Sequence, residues 1–340
     1  MKVLVVGSNS VHLSNFITGI SRMDVKLSFL SEEKCDFWKE EMFLLNFRSL
    51  NPISLLNNYR QLKNVLQINH FDVIHIHQAN RLAYFVTKVA SKLKTKVVLT
   101  AWGSDVLIVP KKSFFHKFLV TQTLKRSFLI TADAKIMIDA MLRMESEIRK
   151  YVHLQYGIDA VEPKGKEQII FSNRLHKSFY NIDKIIIHFA AFSKDHPDWK
   201  LIIAGSGSET ENLKHLVQDL KLTSSINFVG WLGKEENNNW YAKSRIYCSI
   251  PESDGTSVSV LESMSAECLP VLSDIPVSHE WVENKINGVI LQGGINPFDV
   301  AIQMDMKKAI NINRDLINKK AIREMCMTEF YAIYFKAKSK

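Results

Sequence analysis

What most constrains the fold of this chain is an alternation that runs through it twice. Short apolar runs recur, each closed by a glycine or polar turn: KVLVVG from residue 2, VKLSFL at 25–30, DVIHIH at 72–77, KVVLTAWG at 96–103, FLITAD at 128–133 and VHLQYG at 152–157. Runs this short and this apolar suit strands covered on both faces of a sheet. The segments between them carry helical spacing, as at 54–70, where Leu55, Tyr59, Leu62 and Leu66 recur. Strand, helix, strand in succession predicts an α/β fold with a mostly parallel sheet.

The alternation then restarts. EQIIFSNR, KLIIAGSGS, INFVGWL, RIYCSIP, LPVLSD and GVILQGG read as a second set of strands. Helices are expected at 181–199, at 209–222 with Leu213, Leu216, Val217 and Leu220 on one face, and at 257–268, and the chain is helical in character from 297 onward. Two such sets predict two Rossmann-like domains facing each other across a cleft, a division that 340 residues can sustain. The segment QYGIDAVEPKGKEQ, 155–168, has the glycines, proline and charges of a linker. The expected domains are therefore 1–158 and 159–315, with a helical segment 316–340 packing back toward the first.

The net charge of +9 suits anionic partners. A nucleic-acid binder is not favoured, because the lysines are scattered and no zinc finger, RNA-binding motif or basic helix-turn-helix is present. Cys35, Cys248, Cys268 and Cys326 contain no CxxC pair, so a structural zinc site is not expected, and Cys248 and Cys268 read as reduced, buried small hydrophobes. His75 and His77 share one side of a strand, but sequence supplies no third ligand and no metal is expected. The apolar run at the N-terminus reads as a first strand rather than a signal peptide, and no stretch approaches a transmembrane helix. Any membrane contact would be peripheral, through the basic and aromatic stretch 110–127, which reads as a helix; a packed helix with solvated lysines fits the same stretch.

Several loops follow strands where ligands bind in open α/β sheets. Gly7 follows the first strand without a GxGxxG pattern, a helix should start near Ser10–Leu13, and His12 lies in its first turn. Trp102, Gly103, Ser104 and Asp105 form a polar and aromatic loop in which Asp105 could simply cap a helix. Gly205 and Gly207 allow close backbone approach, or a plain turn. Arg174 and Lys177 stand just past a strand, and arginine suits phosphate oxygens.

The segment PESDGTSVSVLESMSAEC is the most specific. Asp254 and Glu262 are separated by seven residues, Thr256 or Ser257 should cap a helix, and Val258, Leu261, Ser265 and Cys268 approximate its buried face. Asp254 as a capping carboxylate is the simpler alternative.

Taken together, LIIAGSGSETENLKHLVQDLKLTSSINFVGWL and YAKSRIYCSIPESDGTSVSVLESMSAECLPVLSDIP resemble the retaining GT-B glycosyltransferases of the family 4-like, group 1 kind, of bacterial polysaccharide and lipopolysaccharide type. The resemblance implies a nucleotide-sugar donor, UDP- or GDP-linked, no further cofactor and no essential metal. It implies that Glu262 holds ribose hydroxyls, Asp254 holds the transferred sugar, and backbone from Gly255 through Thr256 and Ser257 to Val258 meets the diphosphate. Arg174, with Lys177, would bind phosphate, Gly7 would lie near the diphosphate and Gly205 beside the base. His12, Trp102, Gly103, Ser104 and Asp105 would serve the donor sugar or acceptor side, with Asp254, Arg174 and His12 as the catalytic set. The acceptor implied is a saccharide or lipid-linked saccharide of the cell envelope or capsule, and the place is the cytoplasm or the inner face of its membrane.

The chain departs from the family pattern. Asp254 stands for a longer glutamate, Trp102 for a histidine, Phe179 and Tyr180 for the region of a second basic residue, and Glu267 near a glycine. A noncatalytic nucleotide-sugar-binding protein is the alternative these departures keep open.

Overall fold

The computed structural model describes residues 1–49, 51–148 and 150–339, which divide into two compact units. Unit 1 is Met1–Gly157 with Arg323–Lys340, and unit 2 is Ile158–Ile322. Each contains one parallel sheet flanked by helices.

In unit 1 the strands are β1 (Lys2–Val6), β2 (Lys26–Ser31), β3 (Met42–Leu44), β4 (Val73–His77), β5 (Lys96–Thr100), β6 (Leu129–Ala132) and β7 (Tyr151–His153). Their order is β3-β2-β1-β4-β5-β6-β7, so the winding direction reverses between β1 and β4. Strand β3 was not legible as an apolar run, being a three-residue edge strand with an exposed end. One face of the sheet is covered by the helix Val11–Ile20 and by the final helix, Arg323–Lys338, whose Cys326, Met327, Phe330 and Tyr334 are buried among Val3, Val5, Phe16, Phe29 and Val73.

In unit 2 the strands are β8 (Glu167–Ser172), β9 (Lys200–Ala204), β10 (Ile226–Gly230), β11 (Ser244–Ser249), β12 (Leu269–Leu272) and β13 (Val289–Ile290), ordered β10-β9-β8-β11-β12-β13. Here the winding reverses between β8 and β11. The helix Ile182–Phe192 buries Ile182, Ile185, Ile186, Phe189 and Phe192 against this sheet, together with Trp199 and Phe298.

The structural divisions fall at 157/158 and 322/323. The second lies seven residues beyond the expected 315/316, because the helix Met306–Lys320 buries Ala309 and Ile317 in unit 2 and only the next helix belongs to unit 1. The first lies in a segment that is packed rather than loose. Gly157 has φ +79°, and a Cβ there would sit 2.5 Å from the Arg323 Cα, so glycine is required by conformation and by space alike. The side chain of Lys166 donates to the carbonyls of Tyr241 (3.0 Å), Ser244 (2.8 Å) and Ala266 (2.5 Å), tying the segment down. All four cysteines are buried and free.

Candidate active site

The crevice beside a reversal of winding is where an open α/β sheet presents ligands at the carboxyl ends of its strands. In unit 2 the two loops bordering that point follow β8 and β11. The first carries Arg174, the second Asp254 and Ser257.

These residues meet. Arg174 Nη2 donates to Asp254 Oδ2 at 2.8 Å and Nη1 donates to Ser257 Oγ at 2.6 Å. The Tyr180 ring lies 4.6 Å from the guanidinium carbon, a cation–π contact. The Arg174 and Asp254 side chains retain 13% and 25% of their exposure, so the pair stands at a surface that a ligand can reach. Burial opposes the charge on Arg174, but Asp254, Tyr247 and Tyr180 outweigh it and raise its pKa, so the cation persists. Because Ser257 holds Arg174, its hydroxyl does not cap the helix Val258–Ser265. The first N–H groups of that helix, which have no intrahelical acceptor, remain beside the guanidinium. A cation next to such amides is an anion site in chemical terms.

Glu262 lies on the same helix, half-buried. Its carboxylate is close enough to raise the pKa of Tyr241, after burial and Tyr247. Tyr241 belongs to a cluster that sequence reading missed. Asn173 Nδ2 donates to the Tyr241 hydroxyl (2.6 Å) and to Asn237 Oδ1 (2.8 Å), while the Tyr247 hydroxyl donates to Asn173 Oδ1 (2.8 Å). This network fixes the backbone beside Arg174. Its members are 64 to 74 residues apart in sequence, and no local pattern marks them.

The glycine loop is fitted to the arginine loop. A Cβ on Gly205, at φ +106°, would sit 2.6 Å from the Arg174 carbonyl oxygen, and one on Gly207 would sit 2.3 Å from that of His176. The His176 N–H donates to the Ser206 carbonyl at 3.1 Å, and its Nδ1 lies 2.9 Å from Thr210 Oγ1. His176 was not singled out from sequence, although its place between Arg174 and Lys177 was a signal. Lys177 itself is exposed, at the start of the turn Ser178–Tyr180. The region where the family pattern has a second basic residue is instead taken by Tyr180, stacked on Arg174.

Several expectations need correction. The helix at 257–268 ends at Ser265, with Glu267 in the left-handed region at φ 66°, and its buried residues are Val260, Leu261, Ser263 and Met264. The expected Val258 and Ser265 are only half-buried, and Cys268 lies beyond the helix. Leu220 caps its helix and is 39% exposed, because the helix stops at Asp219. The stretch 110–127 is two helices, Val109–Lys112 and Phe114–Arg126, the second capped by Ser113.

In unit 1, Gly7 follows β1 and its N–H donates to the Leu30 carbonyl at 3.1 Å; Ser10 caps the helix that carries exposed His12. The His12 ring is 6.1 Å from that of Trp102. Gly103 caps the short helix Ser104–Leu107, and Ser104 is exposed. Asp105 is neither the cap nor open to a ligand, being 3% exposed. Its carboxylate accepts the N–H groups of Ala79 (2.7 Å) and Trp102 (3.0 Å), so it bolts the β4 loop to the β5 loop. Burial raises its pKa, partly offset by those N–H groups.

His75 and His77 are buried. His75 Nδ1 lies 2.6 Å from the Tyr334 hydroxyl and its Nε2 2.7 Å from Thr100 Oγ1, while His77 Nδ1 lies 3.2 Å from the Tyr156 hydroxyl. Trp102 Nε1 donates to that same Tyr156 hydroxyl at 2.6 Å. Among the described residues, no group of three or more His, Cys, Asp or Glu side chains could hold a metal ion.

The architecture and these loops can be set against known proteins. A solved structure of Anabaena HepE in complex with UDP superposes with a TM-score of 0.83 at 11% identity, covering 99% of this chain and 100% of that one. A family model described as "Glycosyl transferases group 1" matches residues 158–317, and one described as "Glycosyl transferase 4-like" matches residues 2–134. The chain belongs to the GT-B glycosyltransferases. An uncharacterized glycosyltransferase of Haemophilus influenzae is 33% identical to this GT-B chain over 117 residues, 34% of this chain and 32% of that protein. The alpha-monoglucosyldiacylglycerol synthase of Streptococcus pneumoniae is 25% identical over 113 residues, 33% of this chain and 26% of that protein. The GT-B chain thus spans about a third or less of the length of these two curated relatives.

Proposed function

We propose that the protein is a retaining glycosyltransferase that moves a sugar from a nucleotide-sugar donor to a saccharide or lipid-linked saccharide in cell-envelope or capsule synthesis. The observation that carries this reading is the meeting of Arg174 with Asp254 and Ser257 at the reversal of winding in unit 2, with Glu262 on the helix that begins there. A diphosphate leaving group needs fixed positive charge and N–H donors where its charge develops. Arg174 and the backbone from Gly255 to Val258 supply them, and Lys177 adds charge from an exposed position. Glu262 takes the ribose hydroxyls, Asp254 the transferred sugar, Gly205 lies beside the base, and Gly7 serves the diphosphate. On unit 1, His12, Trp102, Gly103 and Ser104 serve the sugar or acceptor side, whereas Asp105 positions Trp102 by its backbone. UDP in the HepE structure supports a uridine nucleotide.

The bond from the anomeric carbon to the phosphate oxygen breaks while the acceptor oxygen bonds to the same face of that carbon. The acceptor proton passes to the departing phosphate oxygen, so no protein nucleophile is required. Calorimetry with UDP- and GDP-sugars tests the donor site. Glu262→Ala is expected to weaken binding of the preferred donor about ten- to a hundredfold, the scale of hydrogen bonds to a charged group. Unchanged binding would refute the ribose assignment.

A noncatalytic nucleotide-sugar-binding protein is a second reading, favoured by the engagement of Asp254 with Arg174 rather than with solvent alone. Donor binding without any transfer or donor hydrolysis would establish it.

The acceptor reading includes a membrane surface. Phe114, Phe115 and Phe118 are 87%, 57% and 47% exposed, next to exposed Lys111, Lys112 and Lys117. No helix among the described residues is long and apolar enough to cross a membrane. Aromatic side chains beside lysines suit the interface of an anionic bilayer. Flotation with anionic vesicles should recover the protein in a salt-sensitive way, and Phe114→Ser with Phe115→Ser should release it. Equal recovery with neutral vesicles would count against the idea.

A further inference from the structure

The segment Asp254–Ser257 has a second neighbour. In sheet order, Arg174 reaches it from the β8 side, and on the β12 side it borders a depression of about 320 Å³. That size is at the lower end of small-molecule sites. The walls are Pro251, Val260, Leu272, Ile275, Val277 and Trp281. Two lining residues, Ser273 and Trp281, hold polar atoms that are buried without a hydrogen-bond partner, Oγ and Nε1. Buried polar atoms are normally paired, and an unpaired one at a cavity calls for an explanation.

We propose that this depression receives an acylamino substituent, acetamido in the simplest case, on the sugar held at Asp254, so that the transferred residue is an N-acylated sugar. The proposal rests on the donor-site reading above. Three observations select this group. The rim is the segment that anchors Arg174, so the depression is continuous with the place assigned to the sugar. Its one charged lining residue, Asp254, is paired with Arg174, and the walls are apolar, so an anionic substituent would be desolvated without a partner. A bare hydroxyl would leave the apolar walls uncovered. An amide matches both kinds of surface. Indole N–H is a donor only and suits the amide carbonyl, a serine hydroxyl can accept the amide N–H, and the methyl group covers Ile275 and Val277.

The test is calorimetry on the full chain with UDP, UDP-glucose against UDP-N-acetylglucosamine, and UDP-galactose against UDP-N-acetylgalactosamine. At least one acetamido donor should bind about tenfold or more tightly than its hydroxyl counterpart, the scale on which small substituents are discriminated. Trp281→Phe should shrink that ratio and Val277→Trp should abolish it, both leaving UDP affinity unchanged. Should Val277→Trp fail to fold, Trp281→Phe carries the test. Equal affinity within both pairs, or a preference for GDP-mannose over every acetamido donor, overturns the proposal and leaves the donor site standing. No nucleotide binding, or UDP binding indifferent to Glu262→Ala and Arg174→Ala, overturns both.

Discussion

Arg174→Ala is expected to lower the transfer rate by about a hundred- to a thousandfold, the loss seen when a single preorganised donor to a developing charge is removed. Two effects combine. The guanidinium, held by Asp254, Ser257 and the Tyr180 ring, is already in position before charge builds on the leaving diphosphate. Its removal also leaves the Asp254 carboxylate unpaired beside two phosphates, where it repels them. The second effect gives the prediction a distinctive signature. Adding Asp254→Asn to Arg174→Ala should recover part of the lost affinity for the nucleoside diphosphate, because the repulsion goes with the charge, while transfer stays low because the sugar contact is gone too. Arg174→Lys should fall between, since lysine restores charge but not the planar fork. The measurements are steady-state transfer and calorimetry with UDP and GDP across the double-mutant cycle. Strict additivity of the two substitutions in diphosphate affinity would show that Arg174 and Asp254 act separately and would sink this account.

The parts of the fold that were legible are those carried by local pattern. Buried parallel strands announce themselves as apolar runs, so Val3–Val6, Ile74–Ile76 and Leu201–Ala204 could be placed by reading alone. Strand β3 has no such signature, since only three residues pair at an edge. Glycines that follow strands could be found, but not their reason: Gly205 and Gly207 are required by the carbonyls of Arg174 and His176, about thirty residues upstream. The candidate site followed the same rule. Asp254 and Glu262 were visible because a helix fixes their spacing, and Arg174 because it follows a strand. The ion pair between Arg174 and Asp254 spans 80 residues and is made by the pairing of β8 with β11, which neither loop encodes by itself. Asp105 shows the opposite failure. A carboxylate in a polar loop looks available to a ligand, and only tertiary structure reveals that two backbone N–H groups have taken it. Glu267 occupies left-handed backbone where glycine is favoured, and its contact with Arg314 gives that side chain a partner there.

Acidification from pH 7 to pH 5 is expected to loosen unit 1, through two histidines that sequence reading could place on one strand but could not bury. Burial holds His75 down to about 3 from its ordinary 6.5, and burial with the neighbouring His75 lowers His77 well below that value. The folded state therefore refuses a proton that the unfolded chain accepts. The stabilisation is present in full above about 6.5 and is lost as the pH falls from there through about 3. At pH 5 the loss from His75 alone is about 2 kcal/mol, roughly a thirtyfold rise in the opened population, and His77 adds to it in the same direction. His75 also joins the final helix to the sheet through Tyr334, so opening at this point frees a segment that covers β4 and β5. Native-state hydrogen exchange in those two strands, corrected for intrinsic rates, reads this directly. Tyr334→Phe removes a hydrogen bond without removing a titrating group, and it should lower protection at both pH values while keeping the slope. His75→Gln should lower protection at pH 7 and flatten the slope, leaving the part due to His77. A slope unchanged in His75→Gln would mean that His75 does not titrate on opening, and the acid sensitivity of unit 1 would have to come from its carboxylates.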